Sequence, residues 1–97
     1  MNDRPADDQW VYAAIEDPGA NEKFVGLYDE ADGVSYIPVF DTKDEAQSCM
    51  INMPRQPNKK YEVQAVLFEE LAKDARENGF LIFVLNGDGQ ILKRVAP

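Results

Sequence analysis

Apolar residues change their spacing several times along this chain, and each change marks an element. Val11-Tyr12-Ala13-Ala14-Ile15 is apolar on both alternating faces and runs into Glu16-Asp17-Pro18-Gly19-Ala20-Asn21, a dense set of turn formers. That pattern predicts a strand followed by a loop. Lys23-Phe24-Val25-Gly26-Leu27-Tyr28 reads as a second strand, closed by Asp29-Glu30-Ala31-Asp32-Gly33, and Val34 to Phe40 reads as a third. The short turns imply an antiparallel meander. Pro38 has no N–H to donate, so the third strand is an edge or its pairing is interrupted there.

The spacing then becomes helical. Thr42 followed three residues later by Glu45 is a capping box, and Ala46, Cys49, Met50 and Met53 fall on one face of a helix that ends before Pro54. The stretch 54–60 carries two prolines and reads as a loop. Tyr61 to Leu67 alternates again, with Tyr61, Val63, Ala65 and Leu67 set against Glu62 and Gln64, as in a half-buried strand. A second helix is expected from Phe68 to Asn78, with Phe68, Leu71, Ala72 and Ala75 inward and Gly79 as a left-handed C-cap. Phe80 to Leu85 is a continuous apolar run, expected to be a central strand covered on both faces. Asn86-Gly87-Asp88-Gly89 is a hairpin turn, and Gln90 to Val95 returns.

The order is β-β-β-α-β-α-β-β: a single α+β domain over residues 10–97, with a mainly antiparallel sheet and two helices packed on one face. One parallel contact is possible, because a helix joins the strands at 61–67 and 80–85. Residues 1–9 are polar and acidic, and read as a flexible lead-in.

Charge narrows the partners. The chain carries 18 acidic and 10 basic residues, net −8, a balance that repels phosphate backbones and anionic headgroups. Nucleic acid and membrane surfaces are therefore not expected as partners. The acidity is concentrated in residues 1–48, which hold twelve carboxylates and three basic side chains. The longest apolar run, residues 80–85, is far short of the roughly 20 residues that span a bilayer. The first residues lack the basic and apolar regions of a signal peptide, and a single cysteine cannot form an internal disulfide, so a cytoplasmic location is expected.

Composition also removes chemistry. With no histidine, His-dependent triads, Cys-His dyads and His-ligated zinc are excluded. Cys49 shares an apolar helix face and reads as a small buried hydrophobe rather than a nucleophile. The run Asn86 to Ile91 has the look of part of a calcium loop, but Val84 and Val95 occupy positions that need oxygen ligands, so it reads as a turn. Asp29, Glu30 and Asp32 read as solvated charge rather than a metal site, and no carboxylate pair is placed for acid–base work. No catalytic residue, cofactor or metal is expected. Arg55, Lys59 and Lys60 form the one basic cluster, and Trp10, Tyr12, Phe24, Tyr28, Tyr36 and Phe40 line the first three strands.

The run Tyr36-Ile37-Pro38-Val39-Phe40-Asp41-Thr42-Lys43-Asp44-Glu45-Ala46 resembles the SseB protein N-terminal domain, where a strand ending in Pro-Val-Phe enters a capped helix. Tyr12 to Ile15 and the strand and turn from Phe83 to Gly87 are similar to that family's beginning and end. The resemblance implies a small bacterial α+β domain with no catalytic residues to carry over.

Two functions follow as expectations. The first is a non-catalytic cytoplasmic module that binds another protein, or a second copy of itself through a free sheet edge, with Arg55, Lys59, Lys60, Tyr36 and Trp10 as candidate contacts. The alternative is a small-molecule or anion sensor whose site lies near the loop 54–60.

Overall fold

The computed structural model describes residues 5–19, 22–51 and 59–95. In chain order the elements are β1 (Trp10–Glu16), β2 (Lys23–Phe24), β3 (Leu27–Asp29), β4 (Val34–Phe40), α1 (Lys43–Ile51), β5 (Tyr61–Leu67), α2 (Phe68–Asn78), β6 (Leu81–Leu85) and β7 (Ile91–Val95). The α+β reading holds, with one mixed and mostly antiparallel sheet.

Register sets the sheet order. β5 pairs with β1 along its whole length, from Trp10 opposite Leu67 to Glu16 opposite Tyr61. The other edge of β1 is shared: Tyr12 and Ala13 meet Phe40 and Val39 of β4, while Ile15 and Glu16 meet Phe24 and Lys23 of β2. β4 pairs in parallel with β6 on its far side, Tyr36 opposite Leu81 to Val39 opposite Val84. β3 pairs with the opening of β4, Leu27 opposite Tyr36. β1 and β4 therefore touch at one end and splay at the other, and the segment from Lys23 to Asp29 fills the gap.

That geometry corrects the expected single strand at 23–28. The chain passes from β1 to β4 at Val25-Gly26, so one ladder ends and another begins. Gly26 permits the crossing because a Cβ there would stand 2.9 Å from the Phe80 ring. Pro38 lies inside the sheet, not at an edge. Its pairing is interrupted instead: on the edge facing β1 and β3, Ile37 and Pro38 fall between the two ladders and lack a partner. The parallel contact joins β4 to β6, not the β5 and β6 that the connecting helix makes a possible pair.

The helices also differ from expectation, because they pack on opposite faces. Phe68, Leu71, Ala72 and Ala75 of α2 bury against Val11, Ala13, Ile37, Val39, Ile82 and Val84. Ala46 and Cys49 of α1 bury against Phe40, Phe83 and Leu85. Successive strand residues point to opposite faces, and β4 and β6 are apolar at every position from Ile37 to Phe40 and from Ile82 to Leu85, so both faces need cover.

Caps set the helix ends. Thr42 Oγ1 accepts from the Glu45 N–H at 3.2 Å, as the sequence predicts, and Ala46, Cys49 and Met50 are buried; Met53 lies outside the described residues. α2 ends at Gly79, whose left-handed conformation (φ 76°) turns its N–H back to the Ala75 carbonyl. Its start has no side-chain cap. The Gln9 carbonyl accepts from the Phe68 N–H at 2.9 Å and the Asp7 carbonyl from the Glu69 N–H at 3.1 Å. Residues 7 and 9, read from the sequence as part of a flexible lead-in, are thus docked as the cap of α2, satisfying donors the helix leaves open.

Deleting residues 1–9 should therefore lower unfolding stability by about 1 to 3 kcal/mol, the usual cost of the two helix-end hydrogen bonds it removes. Urea denaturation of the truncated and full chains measures it. An unchanged midpoint would show that solvent caps α2 equally well.

Candidate functional site

β7 is built by the turn before it. Asn86 Oδ1 accepts from the Asp88 N–H at 2.9 Å and the Gln90 N–H at 3.0 Å, and its Nδ2 donates to Gln90 Oε1 at 2.9 Å. The apolar β6 thereby returns as a strand that pairs Ile82 with Val95, Phe83 with Arg94 and Val84 with Lys93. A register shift follows between Val84 and Leu85, which meets Ile91, leaving Leu92 as the extra residue of a bulge.

Among the described residues no strand pairs with the outer edge of β7. Ile91 and Leu92 are exposed, Leu92 at 54%. Lys93 is exposed on the α2 side and makes no ion pair within the described residues.

Arg94 points to the other face. Its guanidinium lies 5.1 Å from the centroid of Phe83, which stacks on Tyr36 with centroids 4.4 Å apart and planes at 19°. The same guanidinium pairs with Asp32 and, at 3.8 Å, with Asp29. Asp29 also accepts from the Ala31 N–H at 3.1 Å. The acidic turn is thus more than the solvated charge expected of it: it holds the arginine that closes the part of this face beyond α1. Burial of the Tyr36 hydroxyl, with the Asp29 charge nearby, pushes its pKa up.

The candidate residues from the sequence do not meet. Arg55 lies outside the described residues. Lys59 is committed: its Nζ donates to Asp17 Oδ2 at 3.2 Å and lies 3.7 Å from Glu16 Oε2. Lys60 joins through its backbone, its N–H reaching Asp17 Oδ1 at 3.4 Å and its carbonyl accepting from the Asp17 N–H at 2.8 Å. Trp10 is exposed at the opposite end of β1, six residues and about 20 Å of strand from Glu16. Tyr36 is half-buried in the stack.

Two recesses flank the sheet. One, of about 660 Å³, has Phe24, Leu27 and Phe80 on its floor and Glu16, Glu22 and Asp74 on its rim. The other, of about 390 Å³, lies between α1 and β5 at Lys43, Met50, Ile51 and Glu62. The larger is lined by Glu16, Glu22, Asp74 and Lys23, and near 59–60 the Lys59 charge is matched by Asp17 and Glu16; the rest of the loop where the anion-sensor alternative is expected lies outside the described residues. Cys49 is buried and its thiol pKa is pushed up, first by burial and then by the Asp88 charge.

The returning strand expected at Gln90 to Val95 is β7, but its Lys93-Arg94 pair is not among the contacts the sequence offers, which lie at Arg55, Lys59 and Lys60 in the loop and at Tyr36 and Trp10. Adjacent basic residues on the last strand after a hairpin are the available signal, since lysine on an exposed edge is a common device against unwanted pairing.

Compared with known families, curated proteins and solved structures, the chain matches none.

The Asp17 cluster generates a pH prediction. The Lys59 hydrogen bond, with the Lys60 N–H, holds the Asp17 carboxyl below its ordinary range, and Asp17 holds Lys59 above its own. A depressed carboxyl contributes stability above its unfolded value of about 4 and loses it as pH falls through the lower folded value; the raised lysine contributes at neutral pH and loses only at strongly alkaline pH. Asp17→Asn keeps a side chain that tolerates the φ of 53° found there. Wild type should be more stable than the variant at pH 7, with the gap closing at pH values well below the carboxylate range. An equal gap at both, in denaturant titrations, would remove the ion pair from the account.

Proposed function

We propose that this chain is a non-catalytic protein-interaction module that takes a partner by strand addition at β7. The observation that carries the reading is the outer edge of β7, with no pairing strand among the described residues and with exposed Ile91, Leu92 and Lys93 beside it. Main-chain groups of such an edge supply affinity, and the flanking side chains supply specificity.

The shape of the neighbouring face supports it. Arg94, held by Asp29 and Asp32, stiffens β7 from one side, and Val95 anchors it from the other. A pre-stiffened edge loses less freedom on binding. The reading includes a cytoplasmic location, to which a lone buried cysteine is suited. The strand ending in Pro38-Val39-Phe40 and the Thr42-capped helix support placing the chain with small bacterial domains of the SseB N-terminal kind.

A photo-cross-linking residue at Leu92 tests the site in the native cell, with the same residue at Glu70 on the exposed side of α2 as control. The expected outcome is a discrete adduct from position 92, competed by added unlabelled protein and absent from position 70. Equal labelling from both positions, or none from 92, would contradict the reading.

A further inference from the structure

Resting on that reading, we infer that the occupant of the β7 edge is an acidic, extended segment of another protein, added as an eighth strand, and not a second copy of this chain. Charge selects the partner. β7 carries Lys93 and Arg94 and no carboxylate, whereas β1, β3 and β5 carry Glu16, Asp29 and Glu62, and β4 and β6 carry no charge. Among the described residues the sheet ends at two strands, β5, which pairs only with β1 and carries Glu62, and β7, which is the one basic strand of three residues or more.

Self-pairing meets a local obstacle. In an antiparallel pair of β7 strands about a two-fold axis, centring on Lys93 sets Lys93 against Lys93 of the copy. Moving the axis one residue on sets Arg94 against Arg94, and of the central registers only centring on Leu92, which sets Lys93 against Ile91, avoids a like pair. Like charges directly opposite are destabilising. An incoming carboxylate beside Lys93 has the opposite effect. Arg94 is already held by Asp29 and Asp32, so Lys93 is the discriminating charge, and the exposed Ile91 and Leu92 favour an apolar residue next to the acidic one. Repulsion from the acidic remainder is screened over roughly 8 Å at physiological salt, while the contact at Lys93 is direct.

The probes are two capped heptapeptides, one alternating valine with glutamate and one alternating valine with lysine. Each is titrated into the full chain and followed by amide resonances. The glutamate peptide should shift and protect amides of residues 91–95, and Lys93→Glu should weaken it roughly tenfold while gaining affinity for the lysine peptide. Lys93→Gln, which keeps a flexible polar side chain without its charge, should fall between. Equal binding of both peptides to wild type would overturn the acidic partner and leave the edge reading standing. Failure of both peptides to perturb β7 would overturn both. A dimer in sedimentation equilibrium with β7 amides protected would overturn the choice of partner in favour of a second copy.

Discussion

The parallel pair of β4 and β6 is buried on both faces, and the remaining architecture answers to that. From Ile37 to Phe40 and from Ile82 to Leu85 every side chain is buried, and alternation sends half of each strand to each side. Each large apolar side chain removed from water contributes about 1.5 to 3 kcal/mol, so leaving either face wet would cost more than any cap or surface ion pair in the molecule returns. One helix must therefore cover each face. α2, with eleven residues, covers its side broadly; α1, with nine, leaves part of the other face to Arg94 and the Tyr36–Phe83 stack.

The binding edge is a consequence of that arrangement. β6 needs neighbours on both sides, and β4 occupies only one, so the hairpin at Asn86 returns the chain to supply the other. β7 ends the sheet there. Its bulge at Leu92 and its two basic residues are features that discourage indiscriminate edge pairing, which makes charge the natural filter for a legitimate partner. The larger recess and the Lys59 cluster lie at the end of β1 near Glu16, away from this edge.

Local signals were legible in the sequence and non-local ones were not. Tyr61–Leu67 and Phe68–Asn78 can be read to the residue, because a change of period meets a left-handed glycine at Gly79. Thr42 is equally readable, since a capping box depends on four consecutive residues. The break at Gly26 is invisible locally: it exists because β1 and β4 splay. Periodicity shows that each helix has an apolar side, but cannot say which sheet face it meets, and so two helices expected together are found apart. Lys59 looked free because its partners, Glu16 and Asp17, are more than forty residues away. The same blindness hid the β7 edge, whose significance comes from a sheet order that the hairpins alone do not determine.

Amide hydrogen exchange on the protein alone tests the central claim, that β7 is an open edge on a sheet closed at its centre. The account predicts the slowest exchange in β4 and β6 and protection at alternate amides along 91–95, with those facing away from β6 exchanging nearly as fast as in an unfolded chain. Uniform protection along β7 would contradict it, because the edge would then already be covered.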